Sequence, residues 1–167
     1  MKTKLTFLLL ILLILLAACS DPQPLTQERL DAINCQIGDL PRDQTYEAVE
    51  GRPPSLVIFS DRGPSMVSTL AWNDINSSRQ TFSCTLLVFP DVASAQNGLH
   101  RACDELLPPI RFPNIGDLTC QAGSQEVVIV FQKDVYLVWV WADFQGEGIQ
   151  DVAKRLESRL IIPVVFP

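Results

Sequence analysis

Near the C-terminal end, two apolar runs flank a short polar turn, and this pair constrains the fold more than any other part of the chain. Residues Glu126–Gln132 and Val135–Ala142 are rich in Val, Ile and aromatic side chains, and Lys133-Asp134 between them predicts a β-hairpin. Successive side chains of a strand leave opposite sides. Val135, Leu137, Trp139 and Trp141 therefore share one face, and Tyr136, Val138, Val140 and Ala142 share the other. In the partner strand Val127, Ile129 and Phe131 oppose Val128 and Val130 in the same way. A sheet wetted on one side alternates apolar with polar residues, so both faces of this hairpin need cover. Two readings follow. Either the hairpin is a central strand pair shielded on both sides, or one face forms an aromatic groove for a partner protein or an apolar ligand. Tyr136, Trp139 and Trp141 are the candidate binding residues of the second reading.

The rest of the chain supplies the shield. Thr26–Ile37 predicts a helix with Thr26 as its cap, Leu30, Ile33 and Ile37 as its apolar stripe and Gly38 as its stop. Residues 39–54 are polar and hold Pro41, Gly51, Pro53 and Pro54, which predicts a loop. Ser55–Ser60 reads as a short apolar strand, Met66–Trp72 as a second and Arg79–Phe89 as a third, with the turn-forming Asn73–Ser78 between the last two. Pro90-Asp91 opens a helix that runs to about Leu107, where Pro108-Pro109 end it. A strand over Asp117–Ala122 leads to the hairpin, and Glu147–Leu160 carries Ile149, Val152, Ala153, Leu156 and Leu160 on one helical stripe. Pro163–Pro167 is a short extended tail. The expected order is α-βββ-α-βββ-α. Short connections make neighbouring strands antiparallel, so the fold class is α+β: an antiparallel sheet of about six strands with helices packed mainly on one face. Thr85–Leu106 and Tyr136–Leu160 share a loose pattern of apolar strand, Asp and amphipathic helix, as an internal duplication would leave.

The N-terminus decides the compartment. Lys2 and Lys4 precede an apolar stretch, Leu5–Ala18, broken only by Thr6, and Cys19 follows. Those 14 residues suit a signal-peptide core and fall short of the ~18 that a spanning helix needs. Leu16-Ala17-Ala18-Cys19 resembles the lipobox of bacterial lipoproteins. The resemblance covers the first 19 residues. It implies cleavage before Cys19, acylation of that residue, and anchorage to the cell membrane or outer membrane on its extracytoplasmic side. Two or more acyl chains hold a protein to a bilayer stably, where one does not. Ser20 rather than Asp follows the cysteine, which by the same resemblance carries no inner-membrane retention mark. The expected organisation is a signal peptide over 1–18, a lipidated tether over 19–25 and one extracytoplasmic domain over 26–167.

Loss of residues 1–18 leaves 11 basic against 19 acidic residues, a net charge of −8. Such a surface excludes a nucleic-acid footprint and a polybasic lipid contact. With Cys19 acylated, Cys35, Cys84, Cys103 and Cys120 remain, and an even count in an exported domain predicts two disulfides. Spacings of 49, 19 and 17 residues contain no CxxC and there is one His, so neither a metal site nor a redox catalyst is expected. Cys84 shares a strand face with Phe82, Leu86 and Val88, while Cys103 lies on the stripe Val92, Ala95, Leu99, Ala102 and Leu106. The strand rises about 20 Å from Cys84 to its end and the helix returns about 18 Å to Cys103. Equal height slightly favours Cys84–Cys103 with Cys35–Cys120; the rival is Cys103–Cys120 with Cys35–Cys84.

Ile115-Gly116-Asp117, the hairpin after it and the closing helix also resemble small extracytoplasmic lipoprotein domains with a Mog1/PsbP-like α+β layout. That resemblance spans the C-terminal half and implies fold alone, with no functional residue carried over.

No catalytic constellation emerges. His100 has no nucleophile turn in front of it and reads as a helix-surface residue. Three carboxylate pairs, Asp104 with Glu105, Asp143 with Glu147 and Asp61 with Asp74, offer the acid and base of an envelope hydrolase, yet each suits a helix flank, a helix N-terminus or a turn. Asn73–Ser78 lacks the glycine and closing Glu of a calcium loop, and no phosphate loop occurs. The expected protein is a non-catalytic binding, sensing or assembly module without cofactor or metal. Its expected partners are the membrane through Cys19 and either another protein or a second copy of itself. The alternatives are a carrier of a lipid or other apolar ligand in a cavity under the sheet, and a hydrolase using paired carboxylates.

Overall fold

The computed structural model describes residues 24–41, 45–59, 63–75, 80–106, 114–123, 126–143 and 147–160. The stretch expected to be a signal peptide, Cys19 and the C-terminal tail lie outside the described residues. All the elements belong to one unit, Thr26–Ile162; a second unit, Met1–Leu25 with Pro163–Pro167, has only residues 24 and 25 in the described set. Helices α1 (Gln27–Ile33), α2 (Val92–Glu105) and α3 (Glu147–Arg159) accompany strands β1 (Tyr46–Val49), β2 (Met66–Asp74), β3 (Gln80–Val88), β4 (Leu118–Ala122), β5 (Val127–Lys133) and β6 (Tyr136–Ala142). The strands form one sheet in the order β1-β2-β3-β6-β5-β4, and every neighbouring pair is antiparallel. The fold is α+β, with the element order expected from sequence.

Three elements differ from that expectation. The first strand is Tyr46–Val49, inside the segment read as a loop. It is a four-residue edge strand that buries only Tyr46, so it carries no apolar run to announce it. Leu56–Phe59, read as a strand, is a 3₁₀ turn instead. Its last residue, Phe59, is buried, with its ring edge-on to Phe89 at 5.7 Å, while Leu56 stays exposed. Helix α1 also stops at Ile33, short of Ile37. The backbone leaves the helix at Asn34, whose buried Nδ2 donates to Ser68 Oγ at 2.9 Å, to Ser68 O and to Cys84 O. Those bonds to β2 and β3 outcompete another helical turn. At the start of α1 the cap is as expected, with Thr26 Oγ1 accepting from Arg29 N.

Cross-strand partners share a face, so the registers divide the sheet cleanly. Cys84, Leu86 and Val88 pair with Val140, Val138 and Tyr136, and all six are fully buried. Helices α1 and α3 cover this closed face. Leu30 of α1 and Ile149, Val152, Ala153 and Leu156 of α3 are buried against it, and Gln150 reaches Gln121 of β4 at 3.1 Å. The opposite face carries Leu87, Val130, Leu137 and Cys120, packed against Ala95, Leu99 and Ala102 of α2 and against Phe59. Gly98 lets α2 approach closely, since a Cβ there would stand 2.9 Å from the Phe89 ring. The two meander-plus-helix halves thus send their helices to opposite faces, whereas a twofold duplication about the β3–β6 pair would place both on one.

The disulfides are Cys35–Cys84 and Cys103–Cys120, each with Cα atoms 6.0 Å apart. This corrects the favoured pairing. Cys84 and Cys103 match in height, but Cys84 points to the closed face and α2 crosses the other. A sheet lies between them. The short turn before β4 is fixed by Gly116, at φ +69°, where a Cβ would strike the Gln132 carbonyl. Its neighbour Asp117 accepts from Lys133 Nζ at 2.8 Å and from Asp134 N at 3.0 Å, tying that turn to the tip of the hairpin.

Candidate functional site

Helix α2 covers only part of its face. Among the described residues nothing covers the sheet beyond its last turn, and a cleft of about 590 Å³ remains. Its floor is a block of four side chains on two adjacent strands: Ser83 opposite Trp141, and Thr85 opposite Trp139. Val128 extends the floor onto β5. One wall is the segment Arg52–Ile58 and the other is Glu105 and Leu106 at the end of α2. Both indoles are half-buried, while every other residue of β6 is buried. The first wall is held to the helix by Arg101, whose guanidinium donates to Ile58 O at 3.2 Å.

The floor is only partly apolar. Thr85 is buried and its hydroxyl pairs with that of Thr69 at 3.1 Å. Ser83 is 8% exposed, and among the described residues nothing is hydrogen-bonded to its hydroxyl. Arg52 and Glu105 are exposed, and among the described residues neither has an ion-pair partner.

The structure therefore separates the three aromatic candidates. Trp139 and Trp141 stand together in the cleft. Tyr136 does not join them: it is fully buried on the closed face, where burial raises its phenol pKa and keeps it neutral. Its placement with the tryptophans is corrected by strand parity, since it is an odd number of residues from both. Ser83 was missed by sequence reasoning. Its signal was the row of hydroxyl residues Thr81, Ser83 and Thr85 on the face of the third strand opposite Cys84.

Of the carboxylate candidates Glu105 stands in the cleft wall; the remaining candidates lie elsewhere. His100, Asp104 and Glu105 are exposed on α2, and Asp143 is exposed after β6. Asp61 and the side chain of Glu147 lie outside the described residues, so of each of those pairs only one carboxylate is placed. Among the described residues no cluster of His, Cys, Asp or Glu has the geometry of a metal site, and no helix is long and apolar enough to cross a membrane. A second hollow, about 300 Å³, sits beside the start of α2 between Phe59 and Asn97. Asp91 Oδ1 already takes the Ser94 N–H there at 2.7 Å, so that helix end is capped from within.

No protein-family model, no curated protein and no solved structure matches the chain. The site is read from its own chemistry.

Proposed function

We propose that this chain is a lipoprotein anchored through Cys19 on the extracytoplasmic side of a bacterial cell membrane or outer membrane, and that it binds rather than catalyses. The anchor rests on the Lys2–Cys19 pattern. Two disulfides among the four remaining cysteines suit an oxidising compartment. The observation that carries the binding reading is the pair Trp139 and Trp141, half-buried side by side in an open cleft. Aromatic side chains left partly uncovered on an otherwise closed sheet mark recognition sites. The cleft is concave and its volume lies within the ~300–1,000 Å³ of ligand sites. That shape favours an inserted ligand group over a flat interface with a second copy.

Two measurements test the proposal. Labelled palmitate should enter the wild-type chain and not Cys19→Ser. The fluorescence of 1-anilinonaphthalene sulfonate, corrected for empty nanodiscs, should rise with the lipidated protein in phospholipid nanodiscs, and Trp139→Ala/Trp141→Ala should abolish that response while far-ultraviolet circular dichroism stays native. No palmitate uptake sinks the anchor; an unchanged response in the double variant sinks the cleft.

A further inference from the structure

The composition of the cleft narrows what it can hold, and the inference rests on the binding reading just given. Trp139 and Trp141 are two residues apart on one strand, so their indoles repeat at about 7 Å along the floor. Ser83 and Thr85 lie directly across from them on β3, at the ~5 Å of cross-strand neighbours. The floor is thus two indoles beside two hydroxyls.

Three occupants are poor matches. A plain acyl chain would cover the Ser83 hydroxyl without pairing it, which leaves a hydrogen bond unmade in a dry place. An anion meets Arg52 but also Glu105 and an acidic protein, and a cation meets Arg52. One free guanidinium and one free carboxylate across a single cleft suit a neutral ligand that both donates and accepts hydrogen bonds. That ligand must also present a flat, weakly polar face to each indole. A pyranose ring does both. The C–H groups of its face meet the electron-rich face of an indole, and its hydroxyl edge reaches serine, guanidinium and carboxylate.

We infer that the Trp139/Trp141 cleft binds an uncharged glycan, with the two indoles stacking on successive sugar rings and the Ser83 hydroxyl hydrogen-bonded to a ring substituent. Arg52 and Glu105 complete the contacts from the two walls.

The test uses the lipidated full-length protein in phospholipid nanodiscs, titrated calorimetrically with chitotriose, cellotriose and maltotriose. At least one trisaccharide should bind. Ser83→Ala should weaken it about tenfold. Trp139→Ala/Trp141→Ala should abolish binding of the trisaccharide and of 1-anilinonaphthalene sulfonate. If no trisaccharide binds while the dye still does, the glycan inference is overturned and the apolar cleft stands. If a trisaccharide binds and neither variant weakens it, the sugar sits elsewhere and the inference is overturned. If neither probe binds, the binding reading falls as well.

Discussion

On the closed face of the sheet, Leu86, Val138, Val140 and Tyr136 are fully buried beneath α1 and α3. On the other face Leu87 and Leu137 are buried as deeply beneath α2, but Trp139 and Trp141, two and four residues further along, are half-covered. Strand β6, apolar on both sides, joins a finished core on one side and an interrupted one on the other, where its neighbour β3 turns polar at Ser83 and Thr85. Each side has its own disulfide, Cys35–Cys84 to the closed face and Cys103–Cys120 to the open one. The difference teaches that apolar patterning demands cover and does not specify how much arrives. Where the cover ends, a surface built for burial meets solvent.

The largest expected effects come from removing the disulfides one at a time. Cys35→Ser/Cys84→Ser opens a loop of 49 residues and should cost about 4 kcal/mol on the chain-entropy model. Cys103→Ser/Cys120→Ser opens a loop of 17 residues and should cost about 3 kcal/mol. Urea unfolding of the two variants reads the gap of about 1 kcal/mol directly. A reversed order would mean that the open-face staple is the stronger one.

Next come single truncations on opposite faces. Leu86→Ala empties a fully buried site and should cost about 3 kcal/mol. Trp141→Ala, already half-uncovered, should cost about 1 kcal/mol despite removing the larger side chain. Equal losses in thermal unfolding would erase the distinction between the faces.

The smallest effect is a control at the end of the hairpin. Lys133, and then the Asp134 amide, lower the Asp117 pKa below the ordinary carboxylate value, and Asp117 raises that of Lys133. A carboxylate with a lowered folded pKa stabilises above its unfolded pKa, near ~4, and that stabilisation is lost as pH falls through the folded value. Both partners are over a third exposed, so screening keeps the effect small. Asp117→Asn should lower the Tm by roughly 1–2 °C at pH 7, and by progressively less below about pH 4.

The hairpin, α2 and α3 were legible because their patterns are long and periodic, and burial obeys the same periods. Strand parity also separated Trp139 and Trp141 from Tyr136 before any coordinates. The 3₁₀ turn at Leu56–Phe59 was not legible, because a short apolar run that turns to bury Phe59 reads the same as one that joins a ladder. Tyr46–Val49 was hidden for the converse reason: an edge strand with one buried side chain has no apolar signature. The disulfide pairing turned on which face α2 crosses, a choice that height along the strand leaves open. Ser83 carries only the weak signal of the hydroxyl row Thr81, Ser83 and Thr85; its place across from Trp141 comes from the register.

Helix α2 is pressed onto the Phe89 ring at Gly98 and bolted to β4 at Cys103, five residues on. Anchorages at its middle and in its last turn leave that end little room to swing. The mouth beside Leu106 is therefore shaped before anything enters it, and an incoming molecule spends little of its affinity on setting the helix in place.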